Sequence, residues 1–374
     1  MKNASRFLWT PKDAGPNDPS RVGLIQLAGP ILLETILRST VSMVDVVFLS
    51  RVSDSVVSAV SVASQYIVLC QIITSAVATG TIVCINQALG MKDRRKVDEL
   101  ATIAIGANIL LGLLFGLMFL LGAELLLGIM SLDAVGMRSA AVYMRICGGC
   151  MVLQSVQIVL NSLCRSLGRT RAPLAINLVS NLVNVCGNYL AVFHSELLGL
   201  EPVAGVAVAS ELSVTAGLLM ACVIAHRAGL RPSVRYLRPF PKQDLKLCLS
   251  IGIPGGINNL SWTTGQLVTT SIISVTGTLM VATKVYVSDL VQYVALVGMS
   301  FSQACSLMVG YRIGAGNYEE ADELRSLVTR TAVLSNIFFS LLLFCFRDPL
   351  MRIFTDNSTI LSIAHDIFLI DILV

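Results

Sequence analysis

Residues 23–50 read GLIQLAGPILLETILRSTVSMVDVVFLS, twenty-eight residues with three charges, Glu34, Arg38 and Asp45. A helix of that length covers the hydrocarbon core of a bilayer with residues to spare. The stretch is too long for the apolar core of a signal peptide and no small-residue cleavage site closes it. Nine more apolar segments follow, near 57–85, 100–121, 137–163, 172–193, 203–225, 247–274, 281–310, 326–346 and 358–374. Charged residues make up 13% of the chain against about a quarter in soluble domains, and the mean hydropathy is +0.76. A soluble enzyme is excluded. In lipid every backbone polar group must be satisfied internally, and segments this long satisfy theirs as helices. The fold class is therefore an all-α polytopic membrane protein. A net charge of +4 is too mild for a nucleic-acid surface. The ten cysteines lie among apolar residues, where they act as small hydrophobes and not as a disulfide framework.

The basic residues sort by side. Lys2, Arg6, Lys12 and Arg21 precede segment 1, Lys92, Arg94, Arg95 and Lys96 follow segment 2, and Arg165, Arg169 and Arg171 follow segment 4. Arg227, Arg231, Arg235, Arg238, Lys242 and Lys246 lie between segments 6 and 7, and Arg312, Arg325 and Arg330 flank the link after segment 8. Arg51, Arg138, Arg145, Lys284, Arg347 and Arg352 fall on the other side. The positive-inside bias predicts a multi-pass protein of the cell membrane, with its N-terminus and the 6–7 loop in the cytoplasm.

Shifted by 224 residues, the sequence matches itself. Pro30 falls on Pro254, Thr40 on Thr264, Val44 on Val268, Ser50 on Ser274 and Gly90 on Gly314, and Asp98-Glu99-Leu100 falls on Asp322-Glu323-Leu324. Six segments separate equivalent points, so both copies have the same orientation in the membrane. This predicts two six-helix lobes related by a pseudo-two-fold along the membrane normal, with the ligand site between or within them. The expected divisions are an N-terminal segment 1–21, a first lobe 22–226, a basic loop 227–246 and a second lobe 247–374. The repeat would carry the second lobe on for about 75 residues, so the expectation is a lobe that is incomplete in this chain.

Ionisable groups inside spanning helices mark functional sites by default. Glu34, Arg38, Ser42 and Asp45 share one face of the first segment. The plainer reading of Glu34 and Arg38 is mutual neutralisation one turn apart. Asp45 has no such neighbour, and a carboxylate out of water exchanges a proton or holds a cation such as Na⁺. Asn177, Asn181, Asn184 and Asn188 share a face of the fifth segment. Interhelical hydrogen bonding accounts for the first two. Asp45 and Asn188 come roughly 8–9 Å below the outer helix ends, and Asn184 and Ser210 roughly 12–15 Å, from the helical rise. Oxygen ligands from three helices thus converge at one depth, as a hard cation requires.

Other signals are weaker. Cys147-Gly-Gly-Cys150 sits in an apolar segment without partner ligands and reads as small-residue packing. His194, His226 and His365 make no metal spacing, and no G-x-x-x-x-G-K-[ST], H-E-x-x-H or paired acidic run is present. ATP-driven transport and common membrane-enzyme chemistries lose support, and no cofactor is implied.

Met43-Val44-Asp45, fifteen residues beyond Pro30, resembles the first-helix pattern of the multidrug and toxic compound extrusion (MATE) transporters. Asn161-x-x-x-Arg165-x-x-Gly168-x-Thr170, Asn184-x-x-x-Asn188, Gly205-Val-Ala-Val-Ala-Ser210 and Val309-Gly310-x-x-Ile313-Gly314-Ala315-Gly316-Asn317 are similar to further patterns of that family, in order, from about residue 22 to the end. The resemblance implies twelve helices in two lobes and export of cationic or amphipathic organic compounds against H⁺ or Na⁺. It implies that Asp45 is the coupling carboxylate, joined by Asn184, by Asn188 where many members have Asp, and by Ser210 in place of a usual Thr. Glu34, Arg38, Asn161, Asn258, Asn259 and Trp262 become candidates for the cavity; the last three stand where some members place a helix-7 Glu. Asp289 is a candidate of its own.

The resulting expectation is alternating access by a monomer in the lipid bilayer, with no nucleic-acid partner. Loading at Asp45 would alter the first helix, whose hydrogen-bond ladder Pro30 interrupts. The alternatives are a flippase for lipid-linked sugars or polysaccharides from the same superfamily, which would want a cationic cavity, and a non-transporting membrane subunit, which would need no carboxylate and amides at one depth.

Overall fold

A computed structural model of the chain describes residues 23–50, 54–128, 134–238, 240–274, 278–352, 361–365 and 367–368. The N-terminal segment 1–21, Arg51 and most of segment 358–374 lie outside these, as do the side chains of Ser42, Met43 and Val44.

The apolar runs fold as α1 (Leu24–Ser50), α2 (Asp54–Gly90), α3 (Arg94–Leu127), α4 (Ala134–Tyr143), α5 (Met151–Ser166), α6 (Arg171–Phe193), α7 (Pro202–Arg227), α8 (Lys242–Ser274), α9 (Thr278–Gly314), α10 (Tyr318–Cys345) and the short α11 (Arg347–Met351). No strand occurs among the described residues. Six of the described helices carry an apolar stretch long enough to cross a bilayer, and α4 with α5 makes a seventh span bent by 47°. The sequence read that span as a single segment near 137–163. Its bend is a π-helical turn at Met144–Gly148, where Gly148 and Gly149 let the chain ride directly on Phe119 and Leu120 of α3. On its outward side α3 presents Leu110, Leu113, Leu114, Leu117, Leu121 and Leu125 unburied, as a lipid-facing surface should. Helix α8 begins at Lys242, five residues before the segment read from hydropathy. Before it, the loop backbone docks on α3, with Arg231 N donating to Asp98 Oδ1 (2.9 Å) and Ser233 N to Thr102 Oγ1 (3.1 Å).

The 224-residue repeat is visible atom by atom in the turns that end α2 and α9. In the first copy Lys92 N bonds Leu89 O and Asp93 N bonds Ala88 O; in the second Gly316 N bonds Ile313 O and Asn317 N bonds Arg312 O. Lys92 (φ 59°) and Gly316 (φ 79°) take the same left-handed conformation, and Asp93 and Asn317 occupy the same N-cap position of the helix that follows.

The two copies also touch. A Cβ on Gly90 would collide with Tyr311 O, and a Cβ on Gly314 would collide with Gln87 O. These contacts are images of one another under the same offset, so the two-fold passes between Gly90 and Gly314. A second pair of contacts flanks them. Helix α2 crosses α8 at Gly80 and Gly252, backbone against backbone, while Ala28 of α1 and Ala304 of α9 are buried at the equivalent crossing. Beyond these glycines Lys96 Nζ reaches Asp244 Oδ2 at 2.7 Å, joining α3 to α8. The lobes are closed on each other at the end that carries the basic loops.

Candidate functional site

Helices α1 and α6 run side by side in the same direction. Asn177 lies against Glu34 and Asn188 against Asp45, each pair separated by 143 residues in sequence. Eleven residues, three helical turns, separate the two levels on each helix, so the same faces meet twice.

At the lower level Glu34 is buried, and its partner is not Arg38. Arg165 of α5 places Nη1 at 2.8 and 2.9 Å from the two carboxylate oxygens and Nη2 on Ser162 Oγ, while Asn177 Nδ2 donates to Oε1 at 3.3 Å. The expected neutralisation of Glu34 by Arg38 is thereby corrected. Arg165, which sequence counting assigned to a loop flank, turns back into the bundle, where its Nη1 meets both oxygens while its Nη2 stays on Ser162. Arg38 is exposed and forms no ion pair among the described residues. Asn161 is buried one turn before Arg165, its Oδ1 unpartnered among the described residues.

At the upper level Asn188 Nδ2 donates to Asp45 Oδ1 at 2.5 Å and to Asn184 Oδ1 at 3.1 Å, and Asn184 Nδ2 donates to Ser210 Oγ at 3.1 Å. Three helices thus meet through four side chains. Small residues make the approach possible, because Gly187 of α6 sits on Ala209 of α7 and Gly205 of α7 on Ala191 of α6. Asp45 is half-buried, whereas Asn184 and Asn188 are buried, and Asn188 Oδ1 has no hydrogen-bond partner among the described residues. Phe48 and Phe193, edge to face with centroids 6.4 Å apart, cover the level beyond.

The second-lobe candidates are not gathered into this cluster. Asn258, Asn259 and Trp262 are exposed on α8, Asp289 is exposed on α9, and no hydrogen bond links them to Asp45 or its amides. Helix α1 runs through Pro30.

Sequence reasoning missed two charged groups. Glu211, next to Ser210, is buried in α7 and accepts from Gln154 Nε2 of α5 at 2.7 Å. Lys284, counted with the outer basic residues, is buried in α9 and donates to Gln266 Oε1 of α8 at 2.8 Å. An ionisable residue inside an apolar segment was the available signal for both.

The MatE family model matches residues 30–190 and 254–374. The chain belongs to the MatE family. The two matches begin 224 residues apart, at Pro30 and Pro254, the offset that the turns and the lobe contacts share. The chain is similar to the uncharacterized transporter YisQ of Bacillus subtilis, 29% identical over 344 residues that cover 91% of this chain and 75% of that protein. It is also similar to the probable multidrug resistance protein NorM of Thermotoga maritima, 27% identical over 367 residues, 95% of this chain and 76% of that one. Among solved structures, MATE in the bent conformation superposes with a TM-score of 0.86 at 16% identity, covering all of this chain and 81% of that one. A MOP superfamily transporter from Pyrococcus furiosus, reported to have a binding pocket of reversed polarity, gives 0.82 at 17% identity, covering 98% and 79%. The protein is a MatE-family transporter of the cell membrane with the MATE fold.

Proposed function

We propose that this MatE protein exports organic cations or amphipathic compounds by alternating access, in exchange for H⁺ or Na⁺, and that the exchange is seated in the first lobe at Asp45, Asn184, Asn188 and Ser210. The observation that carries the reading is the half-buried Asp45 carboxylate held by a chain of amides beside the unpartnered Asn188 Oδ1. A carboxylate and a spare amide oxygen are what a proton or a hard monovalent cation would occupy. The probable multidrug resistance relatives support a small organic substrate, and the exposed Trp262 offers an aromatic face of the kind cations favour. The distribution of basic residues supports a cytoplasmic N-terminus, which makes the closed end the cytoplasmic one.

A coupling ion shifts the two-state equilibrium only through different affinities for the two states. Loading at Asp45 changes what α1 holds against α6, three turns above the Glu34–Arg165 pair that fixes the same helix.

The test is transport of a fluorescent organic cation by the protein in liposomes, under a pH gradient and a Na⁺ gradient imposed separately, with Asp45→Asn alongside. Movement driven by one gradient and lost in the variant supports antiport and names the ion. No movement under either gradient refutes it and directs attention to lipid-linked substrates.

A further inference from the structure

Among the described residues three carboxylates, Glu34, Asp45 and Glu211, lie inside the first lobe, and their surroundings differ in kind. Glu34 receives three charge-neutralising or amide contacts, from Arg165 on both oxygens and from Asn177. Asp45 is half-buried and faces the amides of α6. Glu211 is 93% removed from solvent and has neither arrangement.

Its donors can be counted. Gln154 spends one N–H on Glu211 Oε1 (2.7 Å) and its other on the Cys147 carbonyl (3.3 Å), while its own Oε1 accepts from Gln71 Nε2 of α2 at 2.7 Å. Gln154 has nothing left to give, the Cys147 thiol beside the carboxyl is a weak donor that also reaches Ala207 O (3.7 Å), and Glu211 Oε2 is buried with no hydrogen-bond partner among the described residues. An ionised carboxylate offers about four acceptor sites, and here one is used. The groups around it supply no positive charge. The titratable groups that interact with it or with its neighbours are Cys147 and Cys150 on and beside the π turn, Tyr143 on α4 and Asp45 on α1, none of them a cation. On α6, Asn184 gives its Nδ2 to Ser210, the neighbour of Glu211 in sequence. No basic side chain pairs with Glu211 among the described residues. A bare buried carboxylate is among the most expensive groups a bilayer protein can hold, and a neutral acid is cheap. The π turn supplies the carbonyl that orients Gln154, which gives this local irregularity a task.

The geometry points to Glu211 as a second proton-binding residue of the first lobe, carrying a proton in the form with the lobes closed at the basic end and exchanging it during the cycle. Asp45 on α1 ends the Ser210–Asn184–Asn188 chain, while Glu211, one residue beyond Ser210 on α7, is held by Gln154, so the two acids have different partners within one bundle. Binding is simple protonation of Oε2, with the proton drawn from and returned to water. This rests on the antiport reading only for its meaning in transport; the protonation stands apart from it.

The experiment has two readouts on the intact protein in lipid. Infrared absorption of the acid carbonyl, followed from about pH 5 to pH 9, is expected to show a band that vanishes in Glu211→Gln, persists in Asp45→Asn and shifts in the conservative Glu211→Asp. The affinity of a fluorescent organic cation is then measured across the same range. A coupling of ordinary strength gives about a 5- to 150-fold change with pH. Part of this is expected to survive in Asp45→Asn and to disappear in the double variant Asp45→Asn, Glu211→Gln. A band unchanged in Glu211→Gln overturns the proposal, and so does a pH dependence abolished by Asp45→Asn alone. If neither gradient drives transport yet the Glu211 band titrates, the antiport reading fails and this site stands.

Discussion

Gly314→Ala adds one methyl group at the pseudo-two-fold. The new Cβ would overlap Gln87 O, well inside the 3.4 Å at which ordinary van der Waals contact begins. Neither partner can yield by rotation, since both are backbone in long helices, so α2 and α9 must part by more than about 1 Å or strain locally. Overpacking of this kind costs about 1–3 kcal/mol. The penalty applies only where the lobes are closed at this end, and it translates into about a 5- to 150-fold gain for the open form. The protein carries its own reporters. Cys84 and Cys248 face each other across the same interface and are both buried. Their alkylation by a water-soluble maleimide, read by mass spectrometry of the two peptides, should accelerate by that factor in Gly314→Ala and, by symmetry, in Gly90→Ala. Gly122 has open space around it, so Gly122→Ala is the control that should leave the rate unchanged. An unchanged rate in both interface variants would refute the claim that this contact holds the lobes together.

Two further outcomes follow from the site. Glu34→Gln leaves the partly buried Arg165 without its counter-charge and should destabilise the protein, by less than the roughly 3–5 kcal/mol of a fully buried pair; adding Arg165→Leu should recover much of the loss, both read by thermal unfolding in detergent, and equal melting of single and double variants would contradict the pairing. Asn188→Leu deletes a donor to the ionised Asp45 carboxylate worth about 1.5–3 kcal/mol and so should tighten apparent proton affinity roughly 10- to 150-fold, measured from flux against pH, whereas Asn188→Asp should tighten binding of Na⁺.

Periodicity and composition made the helices and the repeat readable, because a 224-residue offset between Gly90 and Gly314 survives in residue identities. That these two glycines touch each other could not be read, since sequence carries the symmetry and not the position of its axis. The meeting of Asp45 with Asn184, Asn188 and Ser210 was legible from depth, because the helical rise sets all four at similar distances from the outer helix ends. Glu34 went to Arg165 and not to Arg38 because a partner 131 residues away can approach both oxygens, while one on the next turn cannot compete in a buried site. Glu211 stayed hidden among apolar neighbours, its partners Gln154 and Gln71 lying on other helices. The π turn left no trace in hydropathy, because it changes the direction of a segment and not its apolar character.

The central claim is that Asp45 couples ion and substrate rather than merely supporting the bundle. The most direct measurement compares, in the same liposomes, gradient-driven accumulation of a fluorescent organic cation with its gradient-free exchange, for the native protein and Asp45→Asn. The account predicts that the variant keeps exchange and loses accumulation. Accumulation at the native level in Asp45→Asn would contradict it.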